Sequence, residues 1–214
     1  MEEIVFPSIP NLVTVPDYSN RLNTLIQTKI TYPYNFIAAK KEFRTLYAEA
    51  IKCFLYGLPD AALSLAVRCL ERGLKEYFAK NGIKEITYKD RDKKLKKKKA
   101  EYARLFEIIR CSENPLKDRE ILEYLKSLRN YIHEDTLVTD FHALEAIKHG
   151  TDALNKLFPF ESVNIAVEKC RICGEKHELK AEPDEYYIGN RIQLRCTNRP
   201  YPFNFIGELV VNLN

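Results

Sequence analysis

Two groups of side chains in this sequence have the types and spacing for chemistry. The first is Arg129 and His133, in the run Leu128-Arg129-Asn130-Tyr131-Ile132-His133-Glu134. On a helix, four residues give about 400° of rotation and place the two side chains about 6 Å apart along the axis. Both fall on the margin of an apolar stripe formed by Ile121, Leu125, Leu128 and Ile132. Histidine titrates near neutrality, so it can take a proton from a ribose 2′-hydroxyl or give one to a leaving oxygen. A guanidinium can hold the charge that develops on a phosphate. Neither step needs a metal. The plainer reading is that both cations complement the negative end of a helix macrodipole.

The second group is Cys170-Arg171-Ile172-Cys173-Gly174, with Cys196 further on. Two thiolates separated by two residues suit one tetrahedral Zn²⁺, and the glycine eases the turn. Where a second such pair is expected, Cys196 is followed by Thr197, Asn198 and Arg199, so a fourth cysteine is missing. His177, four residues after Cys173, is the best substitute ligand. The set Cys170, Cys173, His177 and Cys196 is thus a candidate zinc site of a degenerate ribbon. Packed free thiols and a disulfide are the alternatives, the latter disfavoured in a reducing compartment. With four protein ligands such a zinc is structural, leaving no open position for water. Arg191, Arg195 and Arg199 with Tyr186, Tyr187, Tyr201, Phe203 and Phe205 offer nucleic-acid contacts. Packing of these aromatics on the helices is the favoured reading, because the region from Glu161 on carries seven basic against eight acidic residues.

A third feature is electrostatic. Between Lys89 and Lys99 there are eight basic residues and two acidic ones, a local excess of six in a chain whose net charge is +4. Lys93, Lys94, Lys96, Lys97, Lys98 and Lys99 are candidate phosphate contacts. A solvated linker or the frayed start of a helix is the alternative.

The elements that must carry these groups are legible as periodicity. Apolar residues recur at helical spacing over 35–56, 59–80, 95–111, 117–134 and 139–158. Inward positions include Phe36, Phe43 and Phe54 in the first, Tyr102 and Leu105 in the third, and Phe141 and Leu154 in the last. Gly57 and Asn81-Gly82 read as stops, and Pro59 with Asp60 as a helix start. Four or five amphipathic helices with short connections form a bundle. Beyond Pro159 the pattern changes to short period-two runs at Val163–Val167 and Ile192–Leu194 and a short apolar run at Leu209–Val211, broken by glycine and proline. These read as antiparallel strands. The organisation expected is an arm over 1–33, a helical bundle over 34–160 and a small β module over 161–214. His142 and His149 share a helix face as surface or packing residues, and Cys53, Cys69 and Cys111 read as buried hydrophobes.

Composition sets outer limits. The chain has 214 residues, 45 % hydrophobic and 30 % charged, which suits a globular protein with a sizeable core. No apolar run approaches the roughly 20 residues of a membrane span. Met1-Glu2-Glu3 puts no positive charge before the first apolar stretch, so no signal peptide is expected and the expected compartment is the cytoplasm. No glycine-rich phosphate loop, Ser/His/Asp order or paired-carboxylate motif stands out.

Arg129-Asn130 followed by His133 near the end of a helix resembles the mark of the HEPN superfamily (higher eukaryote and prokaryote nucleotide-binding). The segment Ala61-Ala62-Leu63-Ser64-Leu65-Ala66-Val67-Arg68-Cys69-Leu70-Glu71 is similar to the second helix of its bacterial and archaeal members, and the helix order agrees over 35–158. The resemblance implies a mainly α chain, a HEPN-like bundle followed by a short antiparallel zinc-ribbon-like module. It implies a homodimer whose two Arg/His pairs meet in a cleft and cut RNA without metal, often in defence or as a toxin held by a protein inhibitor. Other members have lost catalysis and only bind or scaffold. Carried over, His133 would be the acid/base, Arg129 the phosphate binder and Asn130 the polar residue that orients RNA or the arginine. The departure is the interval: three residues separate Arg129 from His133 where the family has four to six. One residue fewer turns the histidine about 100° around the helix. Lys126 has six residues between it and His133, and Asp135 stands where some partnered members carry a modified tyrosine. The readings left open are a metal-independent endoribonuclease, an inactive scaffold of the same fold, and a nucleic-acid-binding adaptor.

Overall fold

A computed structural model describes residues 17–90, 92–116, 122–124, 126–127, 130, 137–182, 185–199 and 205–211, the last strand through 210 by its backbone alone. The body is mainly helical. Helix α1 (Tyr18–Gln27) is followed by α2 (Tyr34–Ala39), α3 (Lys41–Leu55) and α4 (Pro59–Lys80). A hairpin of β1 (Glu85–Lys89) and β2 (Leu95–Lys99) leads through a 3₁₀ turn (Ala100–Tyr102) into the short α5 (Leu105–Ile109). Residues 122–124, 126, 127 and 130 are helical, and α6 (Asp140–Leu157) closes the body. Two further antiparallel hairpins follow, β3 (Val163–Val167) with β4 (His177–Ala181), and β5 (Arg191–Arg195) with β6 (Phe205–Val210).

The expected helix over 35–56 is two helices. Lys40 is extended (φ −151°, ψ 139°), and the turn it makes stacks Phe36 on Phe43 with centroids 4.6 Å apart. The Lys40 ammonium pairs with Glu76 and lies over the Phe43 ring, which ties the break to α4. Helix α4 begins as its sequence dictates, with Pro59 in the first turn and Asp60 beside the positive end. Its buried face (Leu63, Val67, Leu70, Leu74, Phe78) packs on α3 and on Ala146, Ile147, Leu154 and Leu157 of α6. Between them Tyr47 and Thr151 share a buried hydroxyl hydrogen bond of 2.9 Å.

Of the expected helix over 95–111, only the 3₁₀ turn Ala100–Tyr102 and the short α5 (Leu105–Ile109) are helical. The lysine run is strand β2, paired in register Ile86↔Lys98 and Tyr88↔Lys96 with β1. Strand β1 alternates, burying Ile86 and Tyr88, and this anchors the hairpin to the core. The turn contains no glycine: Lys93 takes a positive φ of 61°, and the Asp90 carboxylate accepts the Lys94 amide at 2.9 Å. Tyr102 and Phe141, expected inward, are 65 % and 64 % exposed. Tyr102 follows the strand in the 3₁₀ turn and Phe141 sits on the outer side of the first turn of α6.

The β module is joined to the helices by a short stretch of backbone. Thr31 bridges Tyr187, Tyr32 N–H donates to Tyr186 O at 2.9 Å, and Ile188 N–H donates to Ile30 O at 3.0 Å. The Tyr186 ring meets Tyr32, Tyr34 and Phe160 edge-on, and Ile188 and Val211 belong to the same buried cluster as the helices. So Tyr186 packs, as favoured above, and Tyr187 lies under the Lys29 ammonium. Tyr201 and Phe203 lie outside the described residues. Among the described residues no helix is long and apolar enough to cross a membrane.

Candidate metal centre

The sulfurs of Cys170, Cys173 and Cys196 and a ring nitrogen of His177 all lie within 4.8 Å of one another and could hold a metal ion. Three short pieces of chain bring them there. The first is the turn after β3, where Gly174 has φ +80° and its N–H donates to Cys170 O at 2.7 Å. This tight turn aims both thiols of the Cys-x-x-Cys pair to one side, and glycine adopts its left-handed backbone cheaply. The second piece is the start of β4, where His177 stands opposite Val167 in the register. The third is the end of β5, where the pairing with β6 shifts between Leu194 and Arg195 just before Cys196.

His177 Nε2 lies 3.1 Å from Cys173 Sγ and 3.4 Å from Cys196 Sγ. A tetrahedral ion with ordinary sulfur and nitrogen bond lengths sets its ligand atoms about 3.6–3.8 Å apart. The separations in the cluster, from 3.1 Å up to at most 4.8 Å, bracket that value, so shifts of about 1 Å or less would close the four atoms around one ion. His177 is 6 % exposed, and its other nitrogen, Nδ1, is 3.2 Å from Thr197 Oγ1. With Nδ1 carrying the proton and donating to that hydroxyl, Nε2 is left free to bind a cation. Ile172 N–H donates to Cys170 Sγ at 3.4 Å, and Asn198 Nδ2 reaches Cys173 Sγ at 3.8 Å while held at 2.6 Å by Glu175. Burial pushes the Cys170 thiol up, but hydrogen bonds from the Cys173 and Ile172 amides and from the neighbouring thiols outweigh it and bring it down to about 6. Burial, with the two other sulfurs, pushes Cys196 up. One thiolate is thus favoured before any ion arrives.

Apart from Val167, Ile172 and Leu194 at its margin, this cluster has little apolar core of its own. A module so built depends on its ligands being joined. The sequence names all four members of this candidate site, because three sit within one short turn and strand.

Of the run Arg129, Asn130 and His133, only Asn130 is among the described residues. Asn130 is helical and exposed, whereas Arg129 and His133 lie outside the described residues. Lys126, the other cation at family spacing from His133, forms an ion pair with Glu123 at 2.7 Å. His149 pairs with Glu145 at 3.0 Å and stands edge-on to Tyr124, while His142 closes the cap at Thr139.

The lysine tract divides by strand alternation. Lys96 Nζ pairs with Asp90 at 2.9 Å and Lys98 Nζ with Glu107 at 2.8 Å, both on the face that carries Ile86 and Tyr88. Lys97 and Lys99 take the other face and are exposed, as are Lys93 and Lys94 at the turn. Sequence reasoning missed this division because it read the tract as helical.

Against known proteins, no family model, no curated protein and no solved structure matches the chain.

Proposed function

We propose that the chain is a HEPN-type endoribonuclease that works without a catalytic metal and carries one structural zinc in its β module. The observation that carries the nuclease reading is the sequence run Arg129-Asn130 followed by His133, in which Asn130 is helical and exposed. Lys126, the alternative cation, is engaged by Glu123, so the phosphate-binding role is given to Arg129.

In this reading the His133 imidazole takes the proton of a ribose 2′-hydroxyl as its oxygen attacks the adjacent phosphorus. Arg129 holds the charge gathering on the phosphoryl oxygens. The bond to the 5′-oxygen breaks, and that oxygen receives a proton from the imidazolium of His133 in a partner subunit. The products are a 2′,3′-cyclic phosphate and a 5′-hydroxyl end. Zinc, when bound, supplies a fixed tetrahedral joint for the Cys170, Cys173, His177 and Cys196 side chains. It takes no part in cleavage, since four protein ligands leave no place for water.

The shortened interval between Arg129 and His133 favours a second reading, a protein of the same fold that binds RNA or a protein partner and does not cut. Mixed single-stranded and structured RNAs, incubated with zinc-loaded protein free of other divalent ions, separate the two. The nuclease reading predicts cyclic-phosphate ends with wild type and loss of at least about 100-fold in rate for His133→Ala. A folded, dimeric wild type that leaves every RNA intact supports the scaffold. Equal cleavage by both proteins contradicts the assignment of His133.

A further inference from the structure

We infer that the outer face of the β1–β2 hairpin, with the cleft beside it, is a binding track for single-stranded RNA. The inference rests on the nuclease reading for the choice of RNA and on the hairpin geometry for the place. Strand β2 sends Lys97 and Lys99 to the solvent side, two residues apart and so about 6.7 Å from each other along the strand. That interval is comparable to the repeat of an extended sugar–phosphate chain. Among the described residues neither ammonium has a hydrogen-bond or ion-pair partner, unlike Lys96 and Lys98 behind them.

The row of charge continues into a cleft of about 960 Å³ between α4 and the hairpin, where Lys99 meets Lys84 and Arg72. These two cations are also exposed and without a partner among the described residues. Lys40 and Lys75 on the same wall are taken by Glu76 and Glu71. Glu85 stands across the ladder from Lys99 and Glu101 lines the cleft, so the strand face and rim, more than the cleft floor, suit a polyanion. Directly after the strand, the Tyr102 ring is 65 % exposed. Lysines at backbone spacing beside an exposed aromatic ring fit a single strand, whose bases are free to stack. An acidic peptide would use the lysines and leave the ring unused.

The test is equilibrium binding of a labelled 12-nucleotide RNA to the full zinc-loaded chain, followed by fluorescence anisotropy over a salt series. His133→Ala serves as the background so that no RNA is consumed. Each lost phosphate contact lowers the slope of log affinity against log salt by about 0.7 for a single strand. Lys97→Gln/Lys99→Gln should therefore reduce the slope by about 1.4 and the affinity about 25-fold at 0.1 M salt. Lys96→Gln, whose parent ammonium is held by Asp90, should stay within about twofold of the background. Tyr102→Ala should lose about tenfold in affinity with the slope unchanged.

No binding by the background protein overturns the inference, and so does an unchanged slope in the double lysine variant. Displacement of the RNA by poly-glutamate as efficiently as by an oligonucleotide of equal charge replaces RNA with an acidic protein partner and overturns it too. The nuclease reading fails separately: binding lost in the lysine variants, beside protein with His133 intact that leaves the RNA uncut in the cleavage assay, keeps the track and removes the catalysis. The converse result removes the track alone.

Discussion

Glu107 shows how much one side chain can organise without touching the candidate site. Its carboxylate is 5 % exposed and accepts from Lys98 Nζ at 2.8 Å, from Tyr88 OH at 3.2 Å and from the Arg104 amide at 2.7 Å. It therefore caps α5 and clamps both strands of the hairpin. Burial pushes its pKa up, but the Arg104 amide and Lys98 together hold it below the usual glutamate value. A depressed folded value means stability that is present above the unfolded pKa of about 4.3 and lost as pH falls through the folded one. Glu107→Gln should cost about 1–2 kcal/mol at pH 7, because the part-exposed Lys98 ammonium loses its charged acceptor. Urea unfolding at pH 7 and pH 3 should show that gap closing in acid; a gap independent of pH contradicts the clamp. Nothing local in the sequence marks Glu107, since its partners come from three separate stretches. Of the three thiols read as buried hydrophobes, Cys69 and Cys111 are buried, whereas Cys53 on α3 is only half-buried. Burial raises Cys69 to about 12 and Cys111 to about 11. Neither should react with Ellman's reagent at pH 8 until the chain is unfolded; rapid modification of either in the native protein contradicts that packing.

At the scale of elements, what was legible depended on which period the core uses. Helices α3, α4 and α6 bury a continuous stripe, and their spacing in sequence was enough to place them. The hairpin was not legible, because lysine favours helix and the strand signal is confined to Ile86 and Tyr88. Its turn also lacks the glycine that marks most hairpins, using Lys93 and Asp90 instead. The break at Lys40 escaped for a similar reason, since Phe36 and Phe43 keep helical spacing across it. Conversely, the module's ligands were legible because a Cys-x-x-Cys-Gly turn is a local motif. Where the module docks was not, for it turns on Gly189. This residue has φ +81°, and a Cβ there would lie 2.6 Å from Ile26 Cγ1 on α1. Gly189→Ala combines a strained backbone with a clash and should destabilise the docked state by about 2 kcal/mol. Thermal unfolding of the full chain reads it, and an unchanged midpoint contradicts the close approach of 189 to α1.

For the whole molecule, the account separates two kinds of work. Chemistry on RNA is assigned to the helical body, through Arg129 and His133, with the hairpin as its track. Cohesion of the β module is assigned to a closed four-ligand centre that does no chemistry. The two assignments meet at the docking contact, where Ile188 and Val211 join the buried cluster of the helices and Ile188 N–H donates to Ile30 O. Stripping the ion should loosen that module first, so chelation lowers the unfolding midpoint without unfolding α3, α4 and α6. The most direct test of the centre is the metal content of the purified full chain, measured by native mass spectrometry beside Cys173→Ser and His177→Ala. The account predicts one zinc ion per wild-type chain and little or none in either variant. A folded wild-type chain that carries no zinc after incubation with it contradicts the centre, and so does a His177→Ala chain that holds zinc as tightly as wild type.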